Sequence, residues 1–133
     1  MRLINPNIGY FENDVFEALA FSQIAQIGSV TFFSGVAPLK GALTSLELVG
    51  KTAEAQLIFV LDIIEKCLEE SGLTKENIAA WTFYTTDIKQ FSSFAGEILK
   101  HWLGNHKPTS TTVQVAALIH PAQTIEITVT AVK

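Results

Sequence analysis

Hydrophobic and polar positions alternate with period two over the last quarter of the chain. Thr111, Val113, Val115 and Ala117 fall on one side of one run. Ile125, Ile127, Val129 and Ala131 fall on one side of the next, with Glu126, Thr128 and Thr130 on the other. β-Branched residues in strict alternation predict half-buried strands. The link Ile119–Gln123 contains Pro121, which cannot donate to a ladder, so the two runs are predicted to pair as a closing hairpin. A similar pair is predicted near the start, where Phe21–Gln26 and Val30–Ser34 flank the tight turn Gly28-Ser29. Residues 1–20 are predicted to be an irregular lead with one short strand, and 36–50 a loop.

The middle of the chain changes period. Leu57, Val60, Leu61, Ile64, Cys67 and Leu68 recur at three- and four-residue spacing, which predicts a helix with one apolar face. Thr52 is placed to cap its start and Gly72 to end it. Ile78–Thr86 is short and rich in aromatic and β-branched residues, and is predicted as a strand buried on both sides. Asp87 is placed to cap a second helix, with Gln90 as capping-box partner. Phe91, Phe94, Ala95, Ile98 and Trp102 are its inner face, and Gly104 its end. The order is β-β-α-β-α-β-β. Strand–helix–strand units require some parallel pairing. Two helices can cover only one face of such a sheet, so the class is α+β, with the second face left for a partner.

Composition sharpens this picture. The 133 residues fit a single domain spanning 1–133. Hydrophobic residues make up 48% and charged ones 17%, which is apolar for a monomer and favours association through the uncovered face. The net charge of −4 comes without a basic stripe, which argues against nucleic acid. A lone cysteine, Cys67, excludes an internal disulfide and points to a reducing, cytoplasmic setting. No Cys/His cluster has zinc-like spacing, so neither a metal nor another cofactor is expected. The first residues lack a signal-peptide pattern, and no apolar run is long enough for a membrane span.

The chain resembles the Rid family of reactive intermediate deaminases, formerly called YjgF-type proteins. The resemblance covers about Phe21–Lys133. It is carried by Gly28-Ser29 with Phe32-Phe33-Ser34-Gly35, by Ala55-Gln56, by Ser71-Gly72-Leu73, by Tyr84-Thr85-Thr86-Asp87 with Phe91, by Thr111–Leu118 and by Ile125-Glu126-Ile127, in that order and spacing. It implies a chorismate-mutase-like sheet with two helices packed on one face. It also implies a homotrimer whose sheets line a central β-barrel, with small-molecule clefts between subunits. Deaminating members hydrolyse enamines or imines to a 2-oxo acid and ammonia, gripping the substrate carboxylate with an arginine after a proline.

Here that proline is Pro108, and the arginine position falls on Ser110. The chain's single arginine is Arg2, far from the matched region. The family's cleft tyrosine falls on Phe21, and an expected asparagine on Ala95 or Gly96. Ser34 with Gly35 matches the cleft serine segment, Thr112 stands where a cysteine is common, and Glu126 matches the acid that positions water. The resemblance thus implies ligand contacts from Phe21, Ser34, Gly35, Ser110 and Thr112, and acid–base work by Glu126. Each also has a plain reading: Glu126 as a solvated strand residue, Ser34 as a strand end, Ser110 and Thr112 as β-formers. Three functions follow: a Rid-like trimer that binds or hydrolyses a small metabolite, a deaminase with an altered site, or a non-enzymatic scaffold.

Overall fold

The computed structural model describes Met1–Lys133. In chain order it has β1 (Arg2–Ile4), α1 (Asn13–Leu19), β2 (Ile24–Ile27), β3 (Val30–Val36), β4 (Leu39–Lys40), β5 (Glu47–Leu48), α2 (Ala53–Glu70), β6 (Ile78–Thr85), α3 (Ile88–Leu103), β7 (Thr109–Gln114) and β8 (Ile125–Val132). Six strands form one mixed sheet in the order β1-β2-β3-β8-β6-β7, and β4-β5 make a separate small ribbon. The class is α+β, as the sequence predicts.

The turn and N-cap positions fall where the sequence places them, but Gln90 does not complete a capping box, because the Asp87 N–H bonds instead to Thr85 Oγ1 at 3.2 Å. β2 and β3 pair with Ile27 opposite Val30, so Gly28-Ser29 is a two-residue turn, and Gly28 takes a φ of +60°. Thr52 Oγ1 accepts from the Ala55 N–H and Asp87 from the Gln90 N–H. α2 ends with the Leu73 N–H on the Leu68 carbonyl and the Gly72 N–H on that of Glu69, the paired bonds of a left-handed glycine cap. The apolar face of α2 is buried as its spacing predicts.

The closing pair is different. β7 and β8 are not neighbours: β7 pairs with β6 in parallel, and β8 lies antiparallel to both β3 and β6. Residues 115–124 carry the chain past the end of β6, and β8 enters the middle of the sheet. Alternation fixes which side chains share a face, but not which strand lies alongside. The central slot buries Ile125, Ile127, Val129 and Ala131 almost completely, each burial being worth about 1–3 kcal/mol for the larger side chains. An edge position in a hairpin would leave part of that area wet.

β6 also departs from expectation. Trp81, Phe83 and Thr85 are buried, whereas Ala80, Thr82 and Tyr84 are only half-buried. The strand is thus covered on one side, because α2 and α3 lie on the same face of the sheet. Register places Phe32, Tyr84, Glu126, Thr82, Thr128 and Thr130 on the uncovered face. Its centre is lined by threonine hydroxyls. Towards β1 it exposes Leu3, Ile27, Phe32 and Val132, and Val113 is exposed at the β7 edge.

A third helix, α1, lies in the segment predicted to be irregular. It buries Val15 and Phe16 and ends on Ala20, which adopts left-handed backbone at φ +54°. That conformation lets the Phe21 N–H bond to the Phe16 carbonyl at 3.2 Å. A side chain at such a position costs roughly 1 kcal/mol that glycine avoids. Ala20→Gly should therefore raise the unfolding free energy by about 1 kcal/mol, measured by urea denaturation; an unchanged or lower midpoint would show that the turn is unstrained.

Candidate functional site

The centre of the site is an irregularity in β3. Phe33 faces Val129 and Val36 faces Ile127, so β3 carries one residue more than β8 over this step, a β-bulge at Ser34-Gly35. A buried amide fixes it. Gln23, fully buried, donates from Nε2 to the Ser34 carbonyl (2.9 Å) and accepts the Tyr10 hydroxyl proton on Oε1 (2.7 Å), while the Ser34 N–H bonds to the Gln23 carbonyl (2.9 Å). The Ser34 hydroxyl donates to the Ser22 carbonyl at 2.6 Å. With its proton committed to the backbone, Ser34 offers a ligand only acceptor lone pairs.

Gly35 is needed for space rather than for backbone freedom. A Cβ built on it would overlap Glu126 Oε2 and stand 2.8 Å from Glu126 Cδ. The missing side chain is the seat of the Glu126 carboxyl. Glu126 faces Tyr84 across the β6–β8 ladder and is half-buried. Its nearest polar partner is Gln123 Nε2, 3.4 Å from Oε1. It pairs with no cation: the ion pairs are Lys66–Asp62 and Lys75–Glu65, both on the helix side. Burial raises the proton affinity of Glu126 above the ordinary glutamate range, and the Gln123 hydrogen bond opposes this in part.

The loop that presents Glu126 is pinned by two more buried amides. Gln56 on α2 accepts from the Thr124 N–H (2.8 Å) and hydroxyl (2.9 Å) and donates to the Ala122 carbonyl (3.1 Å). Gln123 accepts from the His120 N–H and donates to the Ile125 carbonyl.

Ser110 and Thr112 lie elsewhere. They are level with Trp81 and Phe83 in the parallel β6–β7 pair, hence on the helix-covered side of the sheet. Ser110 is exposed and lines a groove of about 740 Å³ between β7 and the C-terminal half of α3, with Trp81 behind it and Lys100 and Lys107 also lining it. Thr112 is half-buried and Ala95 buried. Phe21 stacks at an angle on Phe16 and edge-on to Phe11, one residue before the carbonyl that holds Ser34. The fold thus gathers Ser34, Gly35 and Glu126, with Phe21 next to Ser22, whose carbonyl holds Ser34, and leaves Ser110 and Thr112 on the opposite face, across β6.

Other candidate chemistry is silent. Cys67 is fully buried and its thiol is pushed up to about 12, mainly by burial and then by Glu70, so it is not a thiolate at neutral pH. No three His, Cys, Asp or Glu side chains gather as a metal site. No helix is long and apolar enough to cross a membrane.

Residues 12–133 match the family described as endoribonuclease L-PSP. The chain belongs to this family, which is also called YjgF or Rid. Among Rid-family relatives, a RutC family protein of Saccharolobus solfataricus is 34% identical over 113 residues, covering 85% of this chain and 86% of the relative. Of solved structures, a YjgF-family member from Mycobacterium tuberculosis superposes with a TM-score of 0.81, covering 99% and 98% of the two chains at 24% identity, which supports the fold. TdcF of E. coli, solved with bound serine, gives a TM-score of 0.74 at 27% identity over 85% and 87% of the two chains. Sequence reasoning missed the three glutamines that frame this Rid-family site. Gln23 and Gln56 lie within predicted elements and Gln123 ends a predicted link, but their framing role is marked only by their burial.

The raised carboxyl carries a pH prediction. A carboxyl whose folded value exceeds its unfolded value holds its proton more tightly when native. Its contribution to stability is fully present below the unfolded value, about 4.3 for glutamate, and is lost as pH rises through the folded value. Glu126→Gln should therefore melt above the native protein at pH 7. The gap should shrink as the pH falls from 7 through the raised folded value and level off below about 4, and a gap independent of pH would refute a raised Glu126.

Proposed function

We propose that the protein is a homotrimer, its sheets lining a central barrel, that binds or hydrolyses a small metabolite in clefts shared by neighbouring subunits. The observation that carries this reading is Glu126: a half-buried carboxyl without a counter-cation, seated against Gly35 on the uncovered face. A carboxyl whose proton affinity is raised by burial is suited to take a proton from water and return it to a leaving group.

The two-chain cleft is supported by the separation of the residues. Ser110 and Thr112 stand on one face of the sheet and Glu126 on the other, so a site using all three draws them from different chains. The exposed Leu3, Ile27, Phe32, Val113 and Val132 give the uncovered face apolar area for such an assembly. Serine bound to TdcF supports a ligand of amino-acid size. Phe21, Ser34, Gly35, Ser110 and Thr112 line the cleft in this reading. No cofactor takes part, and a cytoplasmic setting fits the single, reduced cysteine. The net charge of −4 does not favour nucleic acid.

Ser110 sets the substrate class. An arginine there would bind a carboxylate through a bidentate fork. A serine cannot, and losing a desolvated charge pair costs on the order of several kcal/mol. The ligand of this chain therefore lacks the carboxylate that such an arginine grips, and hydrolysis of 2-aminoacrylate to ammonia and a 2-oxo acid should stay at the uncatalysed rate. Ser110→Arg should raise that rate clearly above background; turnover already present in the native protein would overturn the assignment of Ser110. Sedimentation equilibrium should give three times the 14.5 kDa chain mass, and a monomer would remove the shared cleft.

A further inference from the structure

We propose that Gln123 is the positioning residue of Glu126: its amide occupies Oε1 and leaves Oε2, the oxygen lying over Gly35, as the atom that takes and gives the proton. The inference rests on the acid–base reading of Glu126 given above and adds which oxygen acts and what selects it.

The orientation of the Gln123 amide is decided by its neighbours. Its side chain is buried. On one side stands a donor, the His120 N–H, 3.3 Å from Oε1 of Gln123. On the other stands an acceptor, the Ile125 carbonyl, 3.0 Å from Nε2. Flipping the amide would set N–H against N–H and oxygen against oxygen, so Nε2 must face Ile125. Nε2 has two hydrogens. One goes to Ile125, and the second is directed at Glu126 Oε1, 3.4 Å away. This bond is long, as catalytic hydrogen bonds often are before a ligand closes the site.

The two carboxyl oxygens are thereby unequal. A proton on Oε1 would confront the amide hydrogen of Gln123, so Oε1 stays an acceptor in both protonation states. Oε2 occupies the space that the missing Gly35 side chain leaves, and it carries the proton when Glu126 is neutral. When Glu126 is ionised, Oε2 takes a proton from water, and the electron pair left on the water oxygen is then available for attack.

The loop conformation that aims Gln123 is itself fixed by the Gln56 bonds to Thr124 and Ala122, and by the Ala122 N–H on His120 Nδ1 at 3.1 Å. The titratable groups that face Glu126 are few. Tyr84 lies opposite on β6, and β3 contributes none, presenting Ser34, Gly35 and Val36, while His120 bonds within the loop to Gln123 and Ala122.

The test needs no ligand. The Glu126 carboxyl carbon and the Gln123 side-chain amide are followed by NMR through one pH titration of the native protein. The two should move with a common midpoint, and Glu126→Gln should abolish the Gln123 movement. In Gln123→Met, which keeps the bulk and removes the donor, the Glu126 midpoint should move upwards, with backbone amide shifts outside 120–126 unchanged. A Gln123 amide that does not follow Glu126, or a Gln123→Met midpoint that stays or falls, overturns the assignment. Should Gln123→Met fail to fold, the native titration decides alone. The functional reading fails separately, through absent turnover in Ser110→Arg, whatever Gln123 does.

Discussion

The insertion of β8 between β3 and β6 is the constraint on which the structure depends. It closes the sheet at its centre and buries the alternating face Ile125–Ala131 against the helices. Because a strand shows successive side chains to opposite faces, the same insertion sends Glu126 to the uncovered face. It arrives beside the one place where β3 has lost its regular step. The acid is not placed by a local motif; it is placed by the register of the central strand β8.

That placement has a physical cost, and the surroundings are built to meet it. A carboxyl leaving water without a cation is unfavourable. Three buried glutamines, Gln23, Gln56 and Gln123, supply neutral hydrogen bonds in place of charge, fixing the bulge, the loop and the carboxyl in turn. Amide partners hold geometry without pulling the carboxyl down to the range of an ion-paired acid. The frame preserves a proton affinity that a lysine or arginine neighbour would destroy.

The two faces of the sheet have different work. The helix side is a dry core in which Trp81, Phe83 and Phe91 pack on one another. The other side pairs a hydroxyl-lined centre, with Thr82 opposite Thr128, and an apolar margin towards β1. A surface of this kind can associate through its margin while its centre stays wet, which suits small polar molecules better than a uniformly apolar interface does.

Much of the fold was legible in the sequence. The period of α2 named most of its buried face, though not Gln56 or Ile63, and Thr52, Gly72 and Asp87 marked helix ends because capping is a local interaction. Gly28-Ser29 fixed its hairpin for the same reason. The α+β class followed from the order of elements, and Glu126, Ser34 and Gly35 could be singled out before their contact was known. Strand neighbours could not be read, since alternation encodes a face and not a partner, and β8 moved from a predicted hairpin to the centre of the sheet. α1 was hidden because its turn signals resemble those of a loop. Gln123 was invisible because a glutamine outside an element carries no pattern; its meaning comes only from His120, Ile125 and Glu126 meeting around it. Sequence determined the elements and their buried faces, which rest on interactions a few residues apart. Tertiary structure alone decided which strands lie together and which polar groups share a space, because those depend on burial gained between distant segments.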